Sequence, residues 1–189
     1  MTPTQVLRAE HRLIERGLDV LEALAGRVAR NMSLAQEPPR QIHAFLAAFA
    51  DGIHHAKEEQ MLFPVLHDHG VPRDGGLVAM MVAEHVTGRA YVREIGEAVA
   101  LGLTSDDSRE RFVVAARAYS DLLRHHILKE DQGLWPLAER ILPPDVVAEL
   151  DRRFAKHGAD NAEARARWET SVETLASELF RLPRAANAR

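Results

Sequence analysis

Two stretches of this chain, HHAKEEQMLFP over residues 54–64 and HHILKEDQGLWP over 125–136, each contain a histidine followed four residues later by an acid: His54-x-x-x-Glu58 and His126-x-x-x-Glu130. On a helix, that spacing places both side chains on one face, one turn apart. Imidazole nitrogen and carboxylate oxygen can then converge on one cation. Aligned on Pro64 and Pro136, the stretches also share Lys57/Lys129, Glu59/Asp131, Gln60/Gln132 and Leu62/Leu134. The histidine doublets do not superpose, because His55 follows His54 whereas His125 precedes His126. The repeat therefore selects His54 and His126 and assigns His55 and His125 to the helix flanks.

A second repeat supports the first. Ala9-Glu10-His11 recurs as Ala83-Glu84-His85, so each half of the chain offers a lone histidine and then a His-x-x-x-Glu pair. Two such halves packed about a pseudo-two-fold axis would bring His11, His54, Glu58, His85, His126 and Glu130 into one interior. Buried carboxylates are costly unless they are paired or metal-bound, and four imidazoles with two carboxylates suit two divalent ions. The donor set fits iron, manganese, zinc or cobalt. Open positions on the ions would receive a small molecule.

The elements that must position these residues are helices, because apolar residues recur at helical spacing throughout. The first is expected over about 4–31 with Thr4 as N-cap, the second over 39–69, the third over 77–101 with Gly102 closing it, and the fourth from Ser105–Ser108 to about Arg140. Short connections between four long helices imply an all-α, up-down-up-down four-helix bundle over residues 1–142. Residues 143–182 read as additional C-terminal helices, broken at His157-Gly158, that cover one bundle face or form a homodimer surface. Residues 183–189 read as a disordered tail.

Composition excludes several alternatives. The 189 residues contain 28 acids, 24 Lys plus Arg and no cysteine. No basic stripe suggests nucleic acid or an anionic membrane, and no thiolate is available for catalysis, disulfides or iron-sulfur ligation. Nothing resembles a signal peptide or membrane span, so a cytoplasmic location is expected.

Together, the segments EHRLIER, HHAKEEQMLFP, AEHVTGR and HHILKEDQGLWP resemble the hemerythrin-like, or HHE cation-binding, domain over about residues 4–140. The resemblance implies a non-haem di-iron centre with an oxo or hydroxo bridge, bridged as well by Glu58 and Glu130 and completed by His11, His54, His85 and His126. Oxygen-carrying hemerythrins place a second histidine four residues from the first on the third helix, whereas Met81 and Arg89 flank His85 at that spacing here. The centre is more similar to that of bacterial di-iron proteins linked to iron-sulfur cluster repair, although their cysteine-bearing N-terminal domain has no counterpart in this sequence. The expected role is binding or sensing dioxygen, nitric oxide or peroxide. Oxidoreductase turnover of such molecules and iron storage or delivery are the alternatives.

The remaining candidates receive structural roles. Glu15 stands four residues after His11, but its counterpart in the other half is Arg89. His43 lies roughly 16 Å along the axis from His54 at about 1.5 Å per residue, and His67-Asp68-His69 closes a helix. Lys57 and Lys129 are expected to pair with surface acids, and Phe63-Pro64 and Trp135-Pro136 to mark packing and a local kink. Gly133 is expected to leave room for an exogenous ligand in a pocket lined by Met61, Met81 and Tyr119.

Overall fold

The computed structural model describes residues 1–32 and 34–180, and no strand occurs among them. Four antiparallel rods form the bundle. The first is α1 (Pro3–Ala29). The second combines α2 (Glu37–Phe45), two wide-turned segments π1 (Leu46–His55) and π2 (Glu58–Leu62), and α3 (Phe63–Asp68). The third is α4 (Gly76–Ala100), and the fourth combines α5 (Asp106–Lys129), π3 (Glu130–Leu134) and α6 (Trp135–Ile141). Two further helices, α7 (Pro144–Asp160) and α8 (Ala162–Phe180), pack back onto α1 and the second rod.

The boundaries follow local chemistry. Thr2, rather than the expected Thr4, caps α1: its side chain accepts from the Gln5 amide while Gln5 Oε1 accepts from the Thr2 amide. Thr4 Oγ1 is instead drawn to Glu139, 2.7 Å away on α6. Ser105 and Ser108 form the matching box at α5. After α4 the chain turns at Gly102, whose φ of 75° is the left-handed conformation that only glycine adopts without strain. The break expected at His157-Gly158 does not occur, because α7 continues through both to Asp160 and stops at Asn161. Helix-compatible backbone at Gly158, with nothing near its missing side chain, gives no reason to stop there. Of the last segment, residues 181–189 lie outside the described residues, as does the expected disordered tail.

Two apolar clusters fill the bundle. One contains Ile14, Leu18, Leu21, Phe45, Phe49, Ile95, Phe112, Tyr119 and Val172. The other contains Leu7, Leu62, Phe63, Leu66, Met81, Leu134, Trp135, Leu150 and Phe154. The histidines and glutamates singled out by the repeats are buried between them.

Candidate metal centre

Two of the wide-turned segments, π2 and π3, begin at the repeated glutamates. Phe63 donates its amide to the Glu58 carbonyl and Trp135 to the Glu130 carbonyl, five residues back rather than four. The prolines one position on explain the recurrence. Pro64 and Pro136 have no N–H to donate to the carbonyls of Gln60 and Gln132. Arg153 fills one vacancy by donating to the Gln60 carbonyl at 3.2 Å. The kink expected from Phe63-Pro64 and Trp135-Pro136 is therefore a widened turn at the carboxylate itself. The aromatic rings of these pairs lie roughly parallel to the neighbouring imidazoles: Phe63 against His85 at 6.0 Å and Trp135 against His11 at 6.1 Å.

His11, His54, Glu58, His85, His126 and Glu130 meet in one layer, each no more than 1% exposed. Glu58 spans the layer: Oε1 is 3.2 Å from His54 Nε2 and Oε2 is 3.4 Å from His85 Nε2. Glu130 does the same, with Oε2 3.2 Å from His11 Nε2 and Oε1 3.3 Å from His126 Nε2. His85 Nε2 and His126 Nε2 face each other at 3.1 Å. Donors of one ion, each about 2.1 Å from it, stand roughly 3–4 Å from one another.

The opposite nitrogens of the four rings settle the tautomers. His54 Nδ1 meets Glu10 at 3.1 Å, His126 Nδ1 meets Glu84 at 2.9 Å, His85 Nδ1 meets Glu59 at 2.6 Å and His11 Nδ1 meets Asp131 at 2.9 Å. An ionised carboxylate only accepts, so each Nδ1 donates and each neutral ring presents its lone pair at Nε2. A basic side chain backs every one of these acids: Lys57 on Glu10, Lys129 on Glu84, Arg89 on Glu59 and Arg12 on Asp131. His11 Nε2 and all four oxygens of Glu58 and Glu130 find no hydrogen-bond partner among the described residues. Lone pairs turned inward toward unpartnered carboxylates need cations, and the donors fit them. Two groups can hold an ion: His11, His54, Glu58 and Glu130, and His55, Glu58, His85 and His126, with the donor atoms of each group within 4.8 Å of one another.

Without a cation, protons take part of its place. Burial opposes charge on His54, but the Glu58 charge and the bond to Glu10 raise its pKa to about 10. Burial likewise opposes charge on His126, which the Glu130 charge raises to about 9. Burial also opposes ionisation of Glu58, yet the charge on His54 holds it well below the usual carboxylate range.

The structure corrects several expectations. His55 is not on a flank: it is 4% exposed, its ring stacks on His85 with centroids 3.9 Å apart, and it joins one of the ion-holding groups. The smaller angular step per residue of a wide turn lets neighbouring positions share the interior. Burial lowers the His55 pKa to about 4, which keeps the ring neutral. His125 does lie on the surface, donating Nδ1 to the Asp121 carbonyl at 2.7 Å. Lys57 does not pair with a surface acid. It is buried on the equally buried Glu10 at 2.6 Å. Lys129 on Glu84 is only half-buried. Met61 and Met81 belong to one apolar cluster and Tyr119 to the other, and the neighbour that a side chain at Gly133 would meet is a Leu77 methyl. Tyr119 instead lines a cleft of about 190 Å³ with Asp51, His55, Glu84, Gly88 and Arg89, among others.

The other candidates stay apart from the layer. Glu15 pairs with Arg12 at 2.7 Å, and His43 packs against Gly96. His67 and His69 donate to the Val71 and Val65 carbonyls at the end of α3. Sequence reasoning missed Glu10, Glu84, Glu59 and Asp131 as orienting groups, although all four are repeat members.

A helical bundle whose two related halves jointly bury a histidine and carboxylate layer defines a cation-binding class. The family model for the hemerythrin HHE cation binding domain matches residues 2–138, and the chain belongs to that family. No significant match was found among curated proteins or solved structures. Among the described residues, no helix is long and apolar enough to cross a membrane.

Proposed function

We propose that the chain is a di-iron protein that binds or senses a small diatomic or peroxide ligand. The observation that carries this reading is the pair of ion-holding groups joined through Glu58, with a cleft that reaches the layer at His55. Two iron ions would supply redox-active positions open to an exogenous ligand. In this reading His11 and His54 hold one ion and His85 and His126 the other. Glu58 and Glu130, each facing a histidine of both pairs, would hold the ions together. The acids on Nδ1 fix the rings and keep Nε2 free of protons, and the two apolar clusters keep bulk water away. α7 and α8 act as a cover on one side, where Arg165 lies 3.5 Å from Glu10.

Metal analysis of protein from iron-supplied cells, with absorption spectra under air and under nitric oxide, tests this. Two tightly held irons per chain and a spectral change with the gas are expected. Less than one tightly held metal per chain refutes it. Catalytic loss of peroxide or nitric oxide, abolished in Glu58→Ala, would move the assignment to the enzyme alternative.

A further inference from the structure

The family match ends at residue 138, and α7 and α8 follow it from Pro144 as an arm folded back on the bundle. Its apolar sides sit on both cores. Leu150 and Phe154 of α7 join the cluster of Leu7 and Trp135, whereas Val172, Leu175 and Ala176 of α8 join that of Phe45 and Phe49. Between those two seats, around its turn at Asn161, the arm passes the level of the polar layer.

Two arginines fasten the arm at that level, and both touch groups that position the same half of the centre. From α7, Arg153 donates to the Gln60 carbonyl at 3.2 Å, inside the widened turn that begins at Glu58. From α8, Arg165 lies 3.5 Å from Oε1 of Glu10, whose Oε2 meets His54 Nδ1 at 3.1 Å. The arm thus holds the acid that orients His54 and the turn that carries Glu58. In the other half Glu84, the counterpart of Glu10, is held by Lys129 and His126 instead. The seat is not fully satisfied, because His157 of α7 keeps Nδ1 buried without a hydrogen-bond partner among the described residues. An unmet hydrogen bond works against docking, which leaves the arm dependent on its apolar seats and the two arginine contacts.

We propose that docking of the α7–α8 arm is coupled to ion occupancy of the His54–Glu58 half, so that the arm reports the state of the centre at the protein surface. This rests on the two-ion reading above and supplies the output that a sensor needs. An ion held by His54 and Glu58 fixes Glu10 and the widened turn, the two footings of Arg165 and Arg153. Without it both footings loosen, and the arm opens more often. The coupling is reciprocal: losing the arm's contacts weakens the same ion by the factor by which that ion steadies the arm. Arg153 and Arg165 are positioning residues, since each acts on a ligand through another group.

Amide exchange of the full chain, metal-free and loaded with Co(II), tests the coupling alongside Co(II) titration by calorimetry and visible absorption. In the wild type, loading is expected to slow exchange across residues 146–178 about fivefold more than across residues 92–115, where α4 ends and α5 begins. The double variant Arg153→Met, Arg165→Met should lose that difference, weaken one ion about fivefold, shift the Co(II) spectrum and leave the other ion unchanged. Arg165→Lys, which keeps the charge beside Glu10, should retain most of the coupling. Arg152→Met, at an exposed residue paired with Glu149 on its own helix, should behave as the wild type. Failure of the wild type to take up two ions would overturn the two-ion reading itself. Two bound ions with equal slowing across both regions would overturn the coupling alone, whether or not the double variant folds. A double variant that weakens both ions alike, or leaves both unchanged, would also overturn it, as the mark of a merely structural arm.

Discussion

Lys57→Met and Lys129→Met remove related lysines from unequal surroundings, so their effects should differ by a calculable amount. Lys57 and Glu10 are an almost wholly buried pair 2.6 Å apart, and Lys57 also donates to the Ile53 carbonyl. Removing one partner of a buried pair costs about 3–5 kcal/mol, because the other charge is left without compensation. Glu10 would keep His54 and the Arg165 guanidinium 3.5 Å away, which places the expected loss near the lower end, about 3 kcal/mol. For a chain of this size that lowers Tm by roughly 6–12 °C. Lys129 is a third exposed and Glu84 nearly a fifth, so Lys129→Met should cost no more than about 1 kcal/mol. Urea denaturation of the metal-loaded proteins, with Tm as a second readout, makes the comparison. Equal losses would refute the argument that α7 and α8 bury one half of the centre and leave the other wet.

Chelation of the metal-loaded protein should lower Tm, since ions bind the assembled layer and not the unfolded chain; an unchanged Tm would leave only a structural bundle. Alanine at His54 or His126 should release metal, whereas His125→Ala, on an exposed ring, should retain the full complement by elemental analysis. In the metal-free protein, His54 and His126 are raised to about 10 and about 9. Folded-state values above the usual 6.5 mean that their contribution to stability is complete below about pH 6.5 and lost as pH rises through 9–10. Metal must displace these protons, so loading at pH 7 should release about two protons per chain and affinity should climb toward pH 9; a pH-independent affinity would contradict the charge arrangement. At Gly17 an added Cβ would stand 2.3 Å from the Phe45 ring, itself packed on Phe49 and Trp168. Gly17→Ala should therefore cost about 1–3 kcal/mol by denaturation while the metal content stays the same.

The repeat made the centre legible because the same spacing on the same kind of helix places the same groups inward: His54 with Glu58 and His126 with Glu130 meet as their spacing implied. The same logic hid what differs between the halves. His55 matches Ile127, so a comparison that keeps only shared residues discards it. Lys57 and Lys129 were legible as repeat members, but their roles were not. A helical wheel with a 100° step turns them away from the glutamates, whereas a lysine is long enough to reach Glu10 or Glu84 on the neighbouring rod. The widened turns could have been read from Pro64 and Pro136, which remove one amide at the same place in each copy. The cleft at His55 is walled by residues of the second, third and fourth rods, a meeting of distant segments that no local spacing encodes.

The polar layer also separates the two apolar clusters, with Phe45, Phe49 and Phe112 on one side and Phe63, Trp135 and Phe154 on the other. Loaded with ions, it would act as a clamp, and both clusters are expected to melt as one cooperative unit. Emptied, it becomes a seam of like-charged carboxylates and protonated rings. Amide exchange would then be expected to quicken first around Leu66, Val78 and Ala138, the smaller of the two cores, before the rest of the bundle opens.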